Sequence, residues 1–218
     1  MNLAGYIDHT LLKPEARVED IIKLCEEAEQ FKFAAVCVQP IYVDLAAHCL
    51  AGTGVKTATV IGFPFGVTFT GSKVAEAKEA VFRKAGELDM VMNIGAAKAG
   101  RWEVVTDDIK QVVEIADGVL VKVIIETCLL TEEEKRRACH AVIEAGTQFV
   151  KTSTGFGTGG ATVADIQLIK RVVGDKIGIK ASGGIRTLEQ AKELIAAGAT
   201  RLGTSSGVAI VGGTVPKG

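Results

Sequence analysis

The stretch EAGTQFVKTSTGFGTGGATVADIQLIKRVVGDKIGIKAS, Glu144 to Ser182, holds one full structural period. Gly146 follows a charged, helical-looking run and reads as a helix stop, since glycine tolerates the left-handed backbone found just past helix ends. A short apolar run, Gln148 to Thr154, then reads as a strand. A glycine-rich turn comes next, and Thr162 introduces a second helical stretch. Gly174 stops that helix, and a new apolar run, Ile177 to Ser182, begins. A strand, a loop and a helix in about 30 residues make one strand–helix unit.

The same period extends in both directions. Gly86, Gly118 and Gly198 also end charged runs and precede "LDMVMNIG", "VLVKVIIE" and "RLGTSS". Earlier in the chain, "KTATVIGF" (56–63), "AAVCVQ" (34–39) and "GYIDHT" (5–10) read as three further strands. Helices are expected over 17–30, 41–51, 72–85, 103–117, 132–145, 162–173 and 187–197. Thr131 to Glu134 and Thr187 to Gln190 match the capping box, in which the first and fourth side chains satisfy each other's backbone donors. Eight apolar strands alternating with helices imply a parallel sheet covered by helices. A closed (β/α)8 barrel, an α/β fold in one domain over residues 1–218, fits best. A doubly wound open sheet is the rival, but no Gly-x-Gly-x-x-Gly follows the first strand.

Composition bounds the function. The chain has 218 residues, 48% hydrophobic, with a formal net charge of -1. That balance offers no strong field to nucleic acid or to a membrane surface. The N-terminal residues do not form a signal peptide, and no apolar run is long enough to span a bilayer. The cysteines Cys25, Cys37, Cys49, Cys128 and Cys139 include no CxxC pair and read as reduced thiols of a cytoplasmic protein. The histidines His9, His48 and His140 lie far apart and match no metal motif, so no metal or cofactor is expected.

The chemistry is read from strand parity, because alternate strand residues share a face. Asp89, Val91 and Asn93 share one face. So do Lys122, Ile124 and Glu126; Phe149, Lys151 and Ser153; and Gly178, Lys180 and Ser182. Neighbouring strands thus aim charged groups to one side, the interior of a barrel. Buried charges persist only when paired or used. An amine is nucleophilic only when neutral, and both desolvation and a nearby cation favour the neutral form. Lys151, with Lys180 one strand away, fits that requirement. A neutral amine adds to an aldehyde or ketone and gives an imine, an electron sink for breaking the adjacent carbon–carbon bond. Asp89 with Lys180, through water, is placed to move the protons.

The glycine loops supply the other half. Gly155 to Gly160, "SGGIRT" (182–187) and "GTSSGVAIVGG" (203–213) follow three successive strands. In barrels, phosphate often sits between the last two of these loops. Gly155, Gly183, Gly184, Ser205 and Ser206 are the expected phosphate-binding residues. Other readings stay open at this point. One is a phosphate-binding isomerase with Glu126 as base; another is a non-catalytic sugar-phosphate binder. Cys37 shares a face with Ala35 and Gln39, and Trp102 is expected to pack at a helix start. "GFPFG" (62–66) is a stiff turn that either walls the pocket or shapes its loop.

Taken together, "IDHTLLKP", "ELDMVMNIGA", "VKVIIET", "VKTSTGF", "GIKASGGIRT" and "GTSSG" resemble the deoxyribose-phosphate aldolase family, in order, from Asp8 to about Gly207. The resemblance implies a class I aldolase that reversibly cleaves 2-deoxy-D-ribose 5-phosphate to D-glyceraldehyde 3-phosphate and acetaldehyde in carbohydrate catabolism. It implies Lys151 as the imine-forming residue, Lys180 as its perturbing neighbour and Asp89 in proton relay. Lys122 would hold Asp89, and Asp8 and Thr10 would lie near a substrate hydroxyl. It implies a homo-oligomer, dimer or tetramer. A different imine-forming aldolase or synthase is the alternative. Two departures stand out. Phe156 occupies a position where some members carry a phosphate-binding lysine. The chain ends Pro216-Lys217-Gly218, without the tyrosine-bearing tail of some members.

Overall fold

Eight short apolar runs form eight parallel strands that close on themselves in sequence order. The computed structural model describes residues 2–212, so the C-terminal Pro216 to Gly218 lies outside the described residues. The strands are β1 Ile7–Leu11, β2 Ala35–Val38, β3 Lys56–Ile61, β4 Glu87–Val91, β5 Leu120–Ile124, β6 Phe149–Lys151, β7 Gly178–Ser182 and β8 Arg201–Thr204. The helices between them are α1 Val18–Phe31, α2 Val43–Cys49, α3 Thr70–Phe82, α4 Ile94–Lys98, α5 Trp102–Ile115, α6 Glu132–Glu144, α7 Val163–Val173 and α8 Leu188–Ala196. A short α9, Gly207–Gly212, follows β8. The expected (β/α)8 barrel is the observed fold.

Local chemistry sets the boundaries. The Thr131 and Thr187 hydroxyls accept from the Glu134 and Gln190 backbone N–H groups, and both boxes are complete. Thr162 caps α7 in the same way. One stop signal is misplaced: after α3 the left-handed residue is Lys84 (φ 69°), not Gly86, whose N–H donates to Thr57 O at 2.8 Å. Two strands are also shorter than the sequence suggests. β4 ends at Val91, and Asn93 caps α4 by accepting from Ala96 N at 3.0 Å. β5 ends at Ile124, and Glu126 turns left-handed at φ 52°. Asn93 and Glu126 therefore leave the face that strand parity assigns to them.

Two separate apolar clusters result. The large one lies between strands and helices and includes Ile21, Val36, Leu88, Met90, Ile109, Val121, Val123, Val150, Ile166 and Leu202. Each such side chain contributes about 1.5–3 kcal/mol by leaving water, so this outer layer carries the stability. The small cluster sits inside the barrel: Leu12, Ala35, Cys37, Ala58 and Val60, with Phe63 against it. It fills the side of the interior lined by β1 to β3. The charged residues Asp8, Asp89, Lys122, Lys151 and Lys180 gather beside it.

Candidate active site

Strand register brings the charged residues into facing positions. Asp89 pairs with Lys122 across β4 and β5, and Lys151 pairs with Lys180 across β6 and β7. Their side chains converge in the barrel, and Asp8, Asp89, Lys122 and Lys180 are wholly buried. Gly203 on β8 makes room, since a Cβ there would stand 3.0 Å from Lys180 Cε.

The contacts form a closed ring of alternating charge. Asp89 Oδ1 accepts from Lys122 at 2.7 Å, and Lys122 reaches Glu87 Oε2 at 2.6 Å. Arg201 binds Glu87 at 3.1 Å and Asp8 Oδ1 at 2.6 Å. Asp8 Oδ2 accepts from Lys180, which returns to Asp89 Oδ2 at 2.7 Å. Three carboxylates and three cations cancel. Lys151 is outside the ring and donates to the same Asp89 Oδ2 at 2.7 Å. It is the seventh group, and the set is neutral only if its amine is uncharged.

Proton affinities follow this count. For Lys151, burial is the largest influence and pulls the pKa down; Asp89 opposes, the Lys180 charge adds to the depression, and the net is below the ordinary amine value. Burial also disfavours the charged forms of Lys122 and Lys180, yet Asp89 raises the first, and Asp8 and Asp89 raise the second. Burial pushes the Asp8 carboxyl up, but Lys180, Lys122 and Arg201 bring it down to about 2. Asp89 is likewise held well below the usual carboxylate range by Lys122, Lys151 and Lys180. Cys37 Sγ lies 4.0 Å from Asp89 Oδ2, and burial followed by the Asp89 charge pushes its thiol up to about 11. It is inert at neutral pH.

A cavity of about 410 Å³ opens over this ring. Of the seven ionic residues, Lys151 alone lines it, beneath Thr10, Gly155, Gly183, Gly184 and Ser205. The glycine loops meet backbone to backbone: a Cβ on Gly160 would come within 2.2 Å of Gly183 O, and Ala161 N donates to Ser182 O and Gly183 O. Ser206 is absent from the lining; its N–H donates to Thr204 Oγ1 at 2.9 Å. Asp8 also stays below the cavity, beneath Lys180. Glu126 does not enter it. Its carboxylate accepts from Thr154 N at 3.2 Å and from the Thr154 hydroxyl, which engages it with the loop after β6.

Four residues escaped the sequence reading. Glu87 and Arg201 complete the ring, and Lys13 and Arg186 bring cationic side chains to the cavity. Parity with Asp89 marks Glu87, and parity with Gly203 marks Arg201. Phe156 lines the cavity wall and packs edge-on against Phe63 of the "GFPFG" turn, with centroids 5.3 Å apart. That turn thus shapes the wall from behind. Trp102 opens α5 and packs on the outer cluster, as expected.

An amine whose protonation is disfavoured, at a cavity floor beside a carboxylate and a second lysine, is equipped to add to a carbonyl and to shuttle protons. A family model described as DeoC/LacD family aldolase matches residues 3–212. The deoxyribose-phosphate aldolase of Thermococcus gammatolerans is 60% identical over 217 residues, 98% of this chain and 96% of its own. That of Carboxydothermus hydrogenoformans is 58% identical over 217 residues, covering 98% and 95%. Among solved structures, the aldolase QR15 superposes with a TM-score of 0.94 at 42% identity over 97% of this chain and 95% of its own. The tetrameric deoxyribose phosphate aldolase of Aeropyrum pernix gives 0.92 at 33%, over 97% and 90%.

Proposed function

Since the chain belongs to the DeoC/LacD aldolase family, we propose that this aldolase cleaves 2-deoxy-D-ribose 5-phosphate reversibly to D-glyceraldehyde 3-phosphate and acetaldehyde through an imine on Lys151. The observation that carries this reading is the charge count: a neutral ring with one surplus amine, at the floor of the cavity.

The neutral Lys151 amine adds to C1 of the open-chain aldehyde, and the carbinolamine, its hydroxyl taking a proton relayed by water, loses water to give a protonated imine. A base takes the C3 hydroxyl proton, the C2–C3 bond breaks, and its electron pair flows into the imine. D-Glyceraldehyde 3-phosphate leaves an enamine behind. Protonation at C2 and hydrolysis then release acetaldehyde and restore the amine. Asp89, relaying through water, is the group nearest Lys151 for these proton transfers. Lys180 stays charged, holds Asp89 and disfavours protonation of Lys151. Lys122 fixes the other Asp89 oxygen.

Backbone groups of Gly155, Gly183 and Gly184 with Ser205 take the phosphate, and Ser206 stands behind them. Lys13 and Arg186 add positive charge where Phe156 contributes none. Thr10 is the hydroxyl partner on the β1 side. The chain acts as one barrel domain over 1–218, in the cytoplasm, as a dimer or tetramer, and degrades deoxyribose phosphate. The solved Aeropyrum relative is itself tetrameric. Among the described residues, no helix is long and apolar enough to cross a membrane.

Acetaldehyde release from deoxyribose 5-phosphate, followed by a coupled reductase in the presence of EDTA, tests the reading. Release at an undiminished rate is expected. No acetaldehyde, or a metal-dependent rate, overturns it.

A further inference from the structure

The ring contains two residues that the reaction itself does not use. Glu87 and Arg201 sit at the starts of β4 and β8, at the opposite end of the barrel from the cavity. Neither bonds to Lys151. Each is linked to it through an alternating chain: Arg201, Asp8, Lys180, Asp89, Lys151 on one side, and Glu87, Lys122, Asp89, Lys151 on the other. Glu87 is buried and Arg201 is mostly so, with its guanidinium stacked 5.7 Å from the Phe149 ring centroid. Charges in such surroundings are weakly screened, so their influence reaches beyond their direct partners.

We infer that Glu87 and Arg201 are positioning residues that set, with opposite sign, the pH range over which Lys151 is a nucleophile. The inference rests on Lys151 being the imine-forming residue. The titratable and charged groups around Lys151 are Asp8 on β1, Cys37 on β2, Glu87 and Asp89 on β4, Lys122 on β5, Lys180 on β7 and Arg201 on β8, with Lys13 and Arg186 in the loops that line the cavity above it. From β3 the interior receives only Ala58 and Val60. Removing one ring anion leaves the ring with a net positive charge, which opposes protonation of Lys151. Removing one ring cation leaves it net negative, which favours protonation. At an effective dielectric of about 20, a unit charge about 12 Å away moves an amine's midpoint by about one pH unit, and a nearer charge moves it further.

The test is the pH dependence of borohydride trapping of acetaldehyde on Lys151, read by peptide mass. In Glu87→Gln the midpoint should fall by about one unit, and in Arg201→Gln it should rise by about one. The double variant restores the balance and should return to the wild-type midpoint, as should Arg201→Lys. If Arg201→Gln fails to fold, Glu87→Gln and the double variant decide. Coincident profiles, or single variants shifting the same way, overturn the inference. A wild-type protein that gives no adduct at Lys151 overturns the underlying reading instead.

Discussion

Replacing Lys180 by Met removes the cation nearest the proposed nucleophile. The Nζ atoms of Lys151 and Lys180 each lie 2.7 Å from Asp89 Oδ2. Their separation is therefore at most about 5.4 Å, twice that distance. At an effective dielectric of about 20, two unit charges so placed repel by about 3 kcal/mol, or about two units of pKa. Lys180→Met should thus raise the midpoint of Lys151 by about two units. The sign is fixed: without the neighbouring cation, Asp89 holds a protonated Lys151 more tightly. Below both midpoints the neutral amine becomes about 100-fold scarcer, so imine formation slows by up to that factor as pH falls and recovers in alkali. Lys180 also holds Asp89, which relays the protons, so turnover alone would confuse two effects. The assay is therefore the single-turnover rate of borohydride trapping with acetaldehyde, from pH 6 to 11. A variant whose profile overlies that of the wild type, merely lowered in height, would refute the charge argument.

Lys151→Met removes the surplus amine and leaves the ring neutral. Replacing a buried, uncharged amine by a similar-sized apolar group exchanges its hydrogen bond to Asp89 for apolar burial, so the melting temperature should change by no more than a few degrees while adduct formation vanishes. A fall of several degrees in calorimetry would mark Lys151 as a structural ion. The Asp8 carboxyl, lowered from 3.8 to about 2, contributes stability that is present above its unfolded value and lost as pH falls through about 2. Thermal melts should lose about 2 kcal/mol from this group between pH 4 and 2, and Asp8→Asn should lack that part of the slope. Lys13→Gln should raise KM for deoxyribose 5-phosphate about fivefold, the worth of one exposed ion pair, with kcat and the reaction of unphosphorylated deoxyribose unchanged. An equal effect on both substrates would place Lys13 elsewhere in the reaction.

Much of this site can be read from the chain because buried parallel strands obey a period of two. Asp89, Lys122, Lys151 and Lys180 meet inside the barrel as their parity requires, and the capping threonines mark where α6, α7 and α8 begin. The rule lapses where pairing stops. Asn93 and Glu126 lie past the last ladder residues of β4 and β5, where a cap and a left-handed turn re-aim them. Glu87 and Arg201 obey the parity rule but sit at the starts of their strands. A charge there reads as a solvated strand end, and only closure of the barrel shows that these two face one another. Lys13 and Arg186 lie in loops, which have no period, so their convergence on one cavity depends on tertiary structure.

The central claim is that Lys151 alone among the interior cations is uncharged and forms the imine. Short exposure of the native protein to deoxyribose 5-phosphate and borohydride at neutral pH, followed by peptide mapping, measures this directly. One covalent addition at Lys151 is the expected outcome. Addition at Lys180 or Lys122 instead, or an unmodified chain that still releases acetaldehyde, would contradict it.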